Sequence, residues 1–208
     1  MIHDSEIEFY KTILPKCRVV FDVGCRDDNI FHQLDKTLQV HMFDPNGCEN
    51  TTGVKFNHYA LGSKKQKVDF RYRYGSILHR TDEPKFNGMH DTVEIEVDTI
   101  LNYCKKNRIK KIDLLKIDTE GYDFEVIKGC GEMIKNIKYI QFEYWDTNIS
   151  GIINYFTGYN IYEIGGKPLN LVATKETLDL KLYDDQHLQN LHLIPNPTRR
   201  NDPGRWGI

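Results

Sequence analysis

The run from Ile112 to Asp123, Ile-Asp-Leu-Leu-Lys-Ile-Asp-Thr-Glu-Gly-Tyr-Asp, constrains the fold more than any other stretch of this chain. Ile112, Leu114, Leu115 and Ile117 form a nearly continuous apolar segment, the pattern of a strand covered on both faces. Asp118, Glu120 and Asp123 gather where that strand would end, and Gly121 lets the backbone turn sharply. Phe124, Val126, Ile127 and Ile134 then recur at roughly helical spacing. The order strand, acidic loop, helix is the unit of an open α/β sheet. Such sheets bind ligands outside the carboxyl ends of their strands, so the three acids stand where chemistry is expected.

The rest of the chain repeats this unit. Ser5-Glu6-Ile7-Glu8 has capping-box spacing and predicts a first helix that ends before Pro15. Val19 to Val23 reads as a buried strand followed by a turn at Gly24, and Asp28 or Asn29 can cap a helix through Ile30, Phe31 and Leu34. Leu38 to Phe43 reads as a second strand ending at the turn Asp44-Pro45-Asn46-Gly47, and Val54 to Tyr59 as a third. Between Ser63 and Val97 the pattern changes. Val68, Phe70, Tyr72 and Tyr74 alternate with polar residues, as do Val93, Ile95 and Val97. Residues 75–91 have the turn formers of a long surface loop, the usual material of a lid over a site. A helix follows from Asp98 to about Asn107, then the organising strand, then a core strand from Tyr139 to Tyr144 carrying Glu143 near its end. A helix through Ile149 and Phe156, strands at 159–164 and 169–173 and an irregular tail at 195–208 complete the chain. No repeat or linker divides it, so one α/β domain over residues 1–208 is expected, with a doubly wound, mostly parallel sheet and helices on both faces.

Charge argues against some partners. The formal net charge of -2 gives no bulk attraction to nucleic acid or to an anionic membrane. No apolar run approaches the roughly 18 residues that span a bilayer. The 5 cysteines, an odd number without a CxxC pair, suit reduced thiols and a cytoplasmic location. The acidic N-terminus lacks the order of a signal peptide.

Asp22-Val23-Gly24-Cys25 followed about 20 residues later by Asp44 is the arrangement of a nucleotide pocket: a glycine turn after the first strand, and an acid after the second to accept ribose hydroxyls. The dinucleotide fingerprint needs two further glycines, and Asp27 and Asp28 would repel a pyrophosphate. A cofactor with ribose and adenine but no phosphate fits better, and S-adenosylmethionine, with its cationic sulfonium, tolerates the acids. A plain strand and turn with a capping aspartate is the alternative.

Asp22-Val23-Gly24-Cys25, Phe43-Asp44-Pro45-Asn46, Ala60-Leu61-Gly62, Val97-Asp98-Thr99-Ile100-Leu101 and the block from Leu115 to Gly129 occur in the order seen in FkbM-type methyltransferases, and the chain resembles that family from about residue 17 to 145. Arg26-Asp27-Asp28-Asn29-Ile30 departs from the family pattern by lacking the second glycine. The resemblance implies a class I methyltransferase fold and methyl transfer from S-adenosylmethionine to an oxygen, with a hydroxyl of a sugar in a glycan or glycosylated product as acceptor. It places Asp22, Gly24 and Cys25 along the methionine, Asp44 with Pro45 and Asn46 at the ribose, and Ala60 and Leu61 by the adenine. It makes Glu120 the proton acceptor beside Asp118, and Asp118 and Glu143 candidate oxygen ligands for Mg2+ or Mn2+. Pairing with Lys116, or capping of the helix that begins near Tyr122, accounts for the same acids without catalysis. Ser76, His79, Tyr122, Tyr144 and Trp145 are candidate acceptor contacts. An NAD-dependent oxidoreductase and a non-catalytic nucleotide-binding domain are the competing readings of this architecture.

Overall fold

A computed structural model describes residues 3–26, 28–46, 53–71, 76–77, 92–144, 149–166 and 169–183. The chain opens with helix α1 (Asp4–Ile13), closed by a 3-10 turn at Leu14–Lys16 that contains the expected Pro15. Its cap is His3 rather than Ser5: the His3 ring accepts the Ser5 N–H, and the Glu6 carboxylate reaches back to the His3 N–H. Strand β1 (Val19–Val23), the short helix α2 (Ile30–Leu34) and β2 (Gln39–Phe43) follow, and then β3 (Lys55–Asn57) and β4 (Ala60–Leu61). The segment of changed pattern folds as β5 (Gln66–Arg71), β6 (Ser76–Ile77) and β7 (Thr92–Asp98). Helix α3 (Ile100–Asn107), capped by the Thr99 side chain, leads to β8 (Ile112–Ile117), the organising strand. After it come α4 (Asp123–Lys128), a 3-10 stretch at Gly131–Asn136, β9 (Ile137–Glu143), α5 (Ile149–Tyr155), β10 (Asn160–Gly165), β11 (Asn170–Thr174) and β12 (Lys181–Leu182).

The main sheet has eight strands in the order β12-β10-β11-β9-β8-β1-β2-β3. Strands β3, β2, β1, β8 and β9 are parallel and follow the doubly wound 3-2-1-4-5 order. Strand β11 runs antiparallel to both β9 and β10, which reverses the sheet at its far side. This is the expected α/β class I methyltransferase fold. The alternation within each central strand explains it. Phe21, Val23, Phe43, Leu115, Ile117, Ile140 and Phe142 face one core, shared with Ile100 and Tyr103 of α3 and with Val126 and Ile127 of α4. Val20, Val40, Met42, Leu114 and Tyr139 face the other, shared with Phe9, Tyr10 and Ile13 of α1 and with Phe31 of α2. Two-sided burial therefore appears in the sequence as an unbroken apolar run.

A second sheet, β4-β7-β5-β6, is built around the antiparallel pair β5 and β7. The expected loop at 75–91 includes β6, which pairs with β5; residues 78–91 lie outside the described set. Among the described residues no helix is long and apolar enough to cross a membrane.

Gly129 closes α4 where the second sheet meets the main body. A Cβ built there would lie 2.1 Å from the carbonyl oxygen of Gly62. Gly129→Ala, at a φ of -66 that alanine otherwise favours, is expected to lose about 1–3 kcal/mol by forced separation of the two backbones. Urea denaturation of the variant against wild type checks this.

Candidate active site

The switch point lies between β1, whose chain winds towards β2, and β8, whose chain winds towards β9. The strand ends are level there. The Gly24 N–H donates to the Phe43 carbonyl and the Asp118 N–H to the Val23 carbonyl, both at 2.9 Å. Asp22, Asp44, Asp118 and Glu143 thereby stand along one edge.

Lys116 forms the floor of this edge. A lysine inside a strand buried on both faces needs partners, and its Nζ lies 3.3 Å from Asp22 Oδ1 and 3.3 Å from Asp118 Oδ2. The lysine and Asp22 side chains are 6% and 2% exposed, and Asp118 is 38% exposed, so the pair reaches from the interior to the rim. Burial opposes the charge on Lys116, but Asp22 and Asp118 outweigh it and hold the ammonium protonated, well above its ordinary range. Burial raises the Asp22 carboxyl to about 6, with Lys116 pulling the other way. Behind Lys116, Gln141 Nε2 donates to Glu6 Oε1 at 2.8 Å and to Asn170 Oδ1 at 3.2 Å, and the Tyr10 hydroxyl donates to the same Glu6 oxygen at 3.3 Å.

The turn after β1 brings in Asp44. Gly24 has φ +79, and a Cβ there would lie 1.8 Å from the Asp118 carbonyl oxygen. Its missing side chain is thus used by the chain itself, where β1 and β8 cross closely, rather than by a ligand. Arg26 stands two residues on and keeps a left-handed φ of 51. Such a conformation costs a non-glycine residue about 1–2 kcal/mol, and it turns the Arg26 N–H onto Asp44 Oδ2 at 2.7 Å. The other Asp44 oxygen accepts the Asn46 N–H at 2.7 Å across Pro45. Burial raises the Asp44 carboxyl, with Asp118 adding to the effect against the two N–H donors and Arg26. The Cys25 thiol is buried between these acids and is driven upward by that burial.

The acidic loop after β8 is held from two sides. Glu120 is exposed and sits at φ 54, a conformation that persists only where the surroundings over-determine it. Asp123, buried at the start of α4, accepts the Thr119 hydroxyl at 3.1 Å and the Gly121 N–H at 3.3 Å on Oδ2, and the Glu143 N–H at 3.4 Å on Oδ1. Burial, with Asp118 adding, raises its carboxyl to about 7.

The sequence-predicted residues thus divide. Asp22, Gly24, Cys25, Asp44, Pro45, Asn46, Asp118, Glu120 and Glu143 fall along one edge of the sheet. Ala60 and Leu61 lie in β4 with both side chains buried, and Leu61 belongs to the main core. Tyr122, expected at the acceptor, is also a core residue. It is 6% exposed and packs beside Gly62 and Val97, because α4 begins one residue later and directs the ring inward. Tyr144 is half-buried and donates its N–H to Leu169 O at 2.8 Å. Ser76 is placed by its backbone in β6; His79 and Trp145 lie outside the described residues. The metal pair is not supported. Among the described residues no three His, Cys, Asp or Glu side chains converge as a metal site requires, and the Lys116 ammonium occupies the inner side of Asp118. The pairing of Asp118 with Lys116, weighed on sequence as the non-catalytic account, is present. The roles of Lys116 and Asp123 were not assigned on sequence, although a lone lysine in an apolar strand is itself a signal.

Lys116→Met leaves Asp22 buried without its cation and is expected to cost about 3–5 kcal/mol at pH 7.5. The loss shrinks at pH 5, where Asp22 is protonated. Denaturant titrations at the two pH values check both the size and the sign.

The model of the methyltransferase FkbM domain matches residues 14–167. A relative described as 2-O-methyltransferase NoeI, from Sinorhizobium fredii (strain NBRC 101917 / NGR234), is 22% identical over 160 residues, a match that spans 63% of this chain and 65% of the relative. With more than half of its length under the family model, the chain belongs to the FkbM methyltransferase family.

Proposed function

We propose that the protein transfers a methyl group from S-adenosylmethionine to a hydroxyl of a sugar or glycan. One observation carries the reading: the carboxyl edge places Asp22, Asp44 and Asp118 around the turn at Gly24 with Lys116 as their buried cation. That surplus of negative charge suits a sulfonium and opposes a pyrophosphate, which disfavours a nicotinamide cofactor. The family and the 2-O-methyltransferase relative support methyl transfer, and the relative's name motivates the choice of a hydroxyl acceptor.

The residues fit the cofactor. A carboxylate has about four acceptor positions, and the two backbone N–H groups on Asp44 leave room for ribose hydroxyls. Asp22, Gly24 and Cys25 line the methionine side, Pro45 and Asn46 frame the ribose, and Ala60 lies towards the adenine. When bound, S-adenosylmethionine supplies an electrophilic methyl. The protein's share is alignment of the acceptor and removal of the hydroxyl proton, which a free alcohol holds far above neutral pH. Glu120, exposed at the rim on a strained backbone, accepts that proton. Asp118, fixed by Lys116, orients the hydroxyl. Tyr144 and Ser76 of β6 stand on the acceptor side.

S-adenosylhomocysteine, and not NAD, is expected to raise the melting temperature, and a screen of methyl glycosides with free 2-hydroxyls tests the acceptor class. Stabilisation by NAD alone would replace the reading with an oxidoreductase. Affinity for S-adenosylmethionine is expected to rise as pH increases through about 6, where Asp22 loses its proton. S-adenosylhomocysteine lacks the positive charge and should show a flatter profile; calorimetry at pH 5 and 7.5 compares them. Glu120→Gln is expected to lower kcat by about 10²–10⁴-fold with donor affinity unchanged.

A further inference from the structure

The loop that carries Glu120 has no regular structure of its own, yet it holds a left-handed non-glycine residue at the rim. Asp118 anchors its first residue to Lys116. Nothing in that anchor fixes Thr119, Glu120 and Gly121. We propose that Asp123 is the positioning residue for the acceptor side of the site, clamping the Thr119–Gly121 loop to the end of β9 so that Glu120 and Glu143 keep a fixed mutual placement. The proposal rests on the reading of Glu120 as proton acceptor.

The geometry supports it in three ways. The two Asp123 oxygens are divided between two elements: Oδ2 takes the Thr119 hydroxyl and the Gly121 N–H on either side of Glu120, while Oδ1 takes the Glu143 N–H. The side chain is 1% exposed, and hydrogen bonds in a buried, low-dielectric setting are stronger than the same bonds in water. The donor half also has bonds of its own, because Asp22, Gly24 and Asp44 are held by Lys116, Phe43, Arg26 and Asn46. Loss of the clamp should therefore free the acceptor half and spare the donor half. A residue that serves only to stabilise the fold would not separate the two.

Asp123→Asn, which turns an amide donor towards N–H groups, is the first test. Three readouts are taken: amide hydrogen exchange at Thr119–Gly121 and Glu143, the dissociation constant of S-adenosylhomocysteine, and turnover on the methyl glycoside that gives the highest rate with wild type. The proposal expects exchange at those amides to rise at least tenfold, kcat to fall 10- to 100-fold, and donor affinity to stay within twofold. Thr119→Val should show the same pattern at smaller amplitude, and Thr119→Ser should restore wild-type behaviour. If Asp123→Asn does not fold, the Thr119 pair carries the same comparison. Unchanged exchange at Gly121 and Glu143, or donor affinity falling in step with kcat, overturns the clamp. A Glu120→Gln variant with full turnover would instead overturn the assignment of the base; the exchange data still decide the clamp.

Discussion

One buried ammonium organises this molecule. Lys116 lies at the seam where the winding of the sheet reverses, between a carboxylate of β1 and a carboxylate that leaves β8. Ions so placed are costly to bury and are retained where both partners remain in reach. The pair therefore fixes how far the ends of β1 and β8 can separate, and Gly24 against the Asp118 carbonyl sets how closely they approach. Between these two limits the carboxyl edge has little freedom, and each acid along it is located relative to that seam.

The two halves of the edge are held by different means. After β1 the partners of Asp44 are backbone N–H groups supplied by a tight turn, and Arg26 takes a left-handed backbone there while adding a positive charge beside the carboxylate. After β8 one internal carboxylate, Asp123, gathers donors from two strand exits.

The central strands were legible because two-sided burial writes an unbroken apolar run, and β1, β2, β8 and β9 lie within a residue or two of where those runs place them. The acids at their ends were legible for the same reason, since the ends of strands are fixed once the strands are. Details that depend on approach in three dimensions were not. Ser5 has the spacing of a cap, but the chain enters α1 two residues earlier and His3 takes that place. Tyr122 follows a glycine in a loop and reads as a rim aromatic, yet the space above Gly62 receives its ring. Gly24 reads as room for a ligand, and the neighbouring strand occupies that room. Strands β6 and β12 are two residues each, too short for any periodicity to register.

The Glu6–Gln141 hydrogen bond joins residues 135 positions apart, and this has a bearing on how the chain is made. Helix α1 is synthesised well before much of the sheet face it covers, which includes β8, β9 and β10. A ten-residue helix has little stability of its own in water, and contacts of such long range form only after the intervening polypeptide exists. Phe9, Tyr10 and Ile13 therefore lack part of their cover until β8 to β10 have been synthesised, and until then the nascent chain presents a ready handle for chaperones.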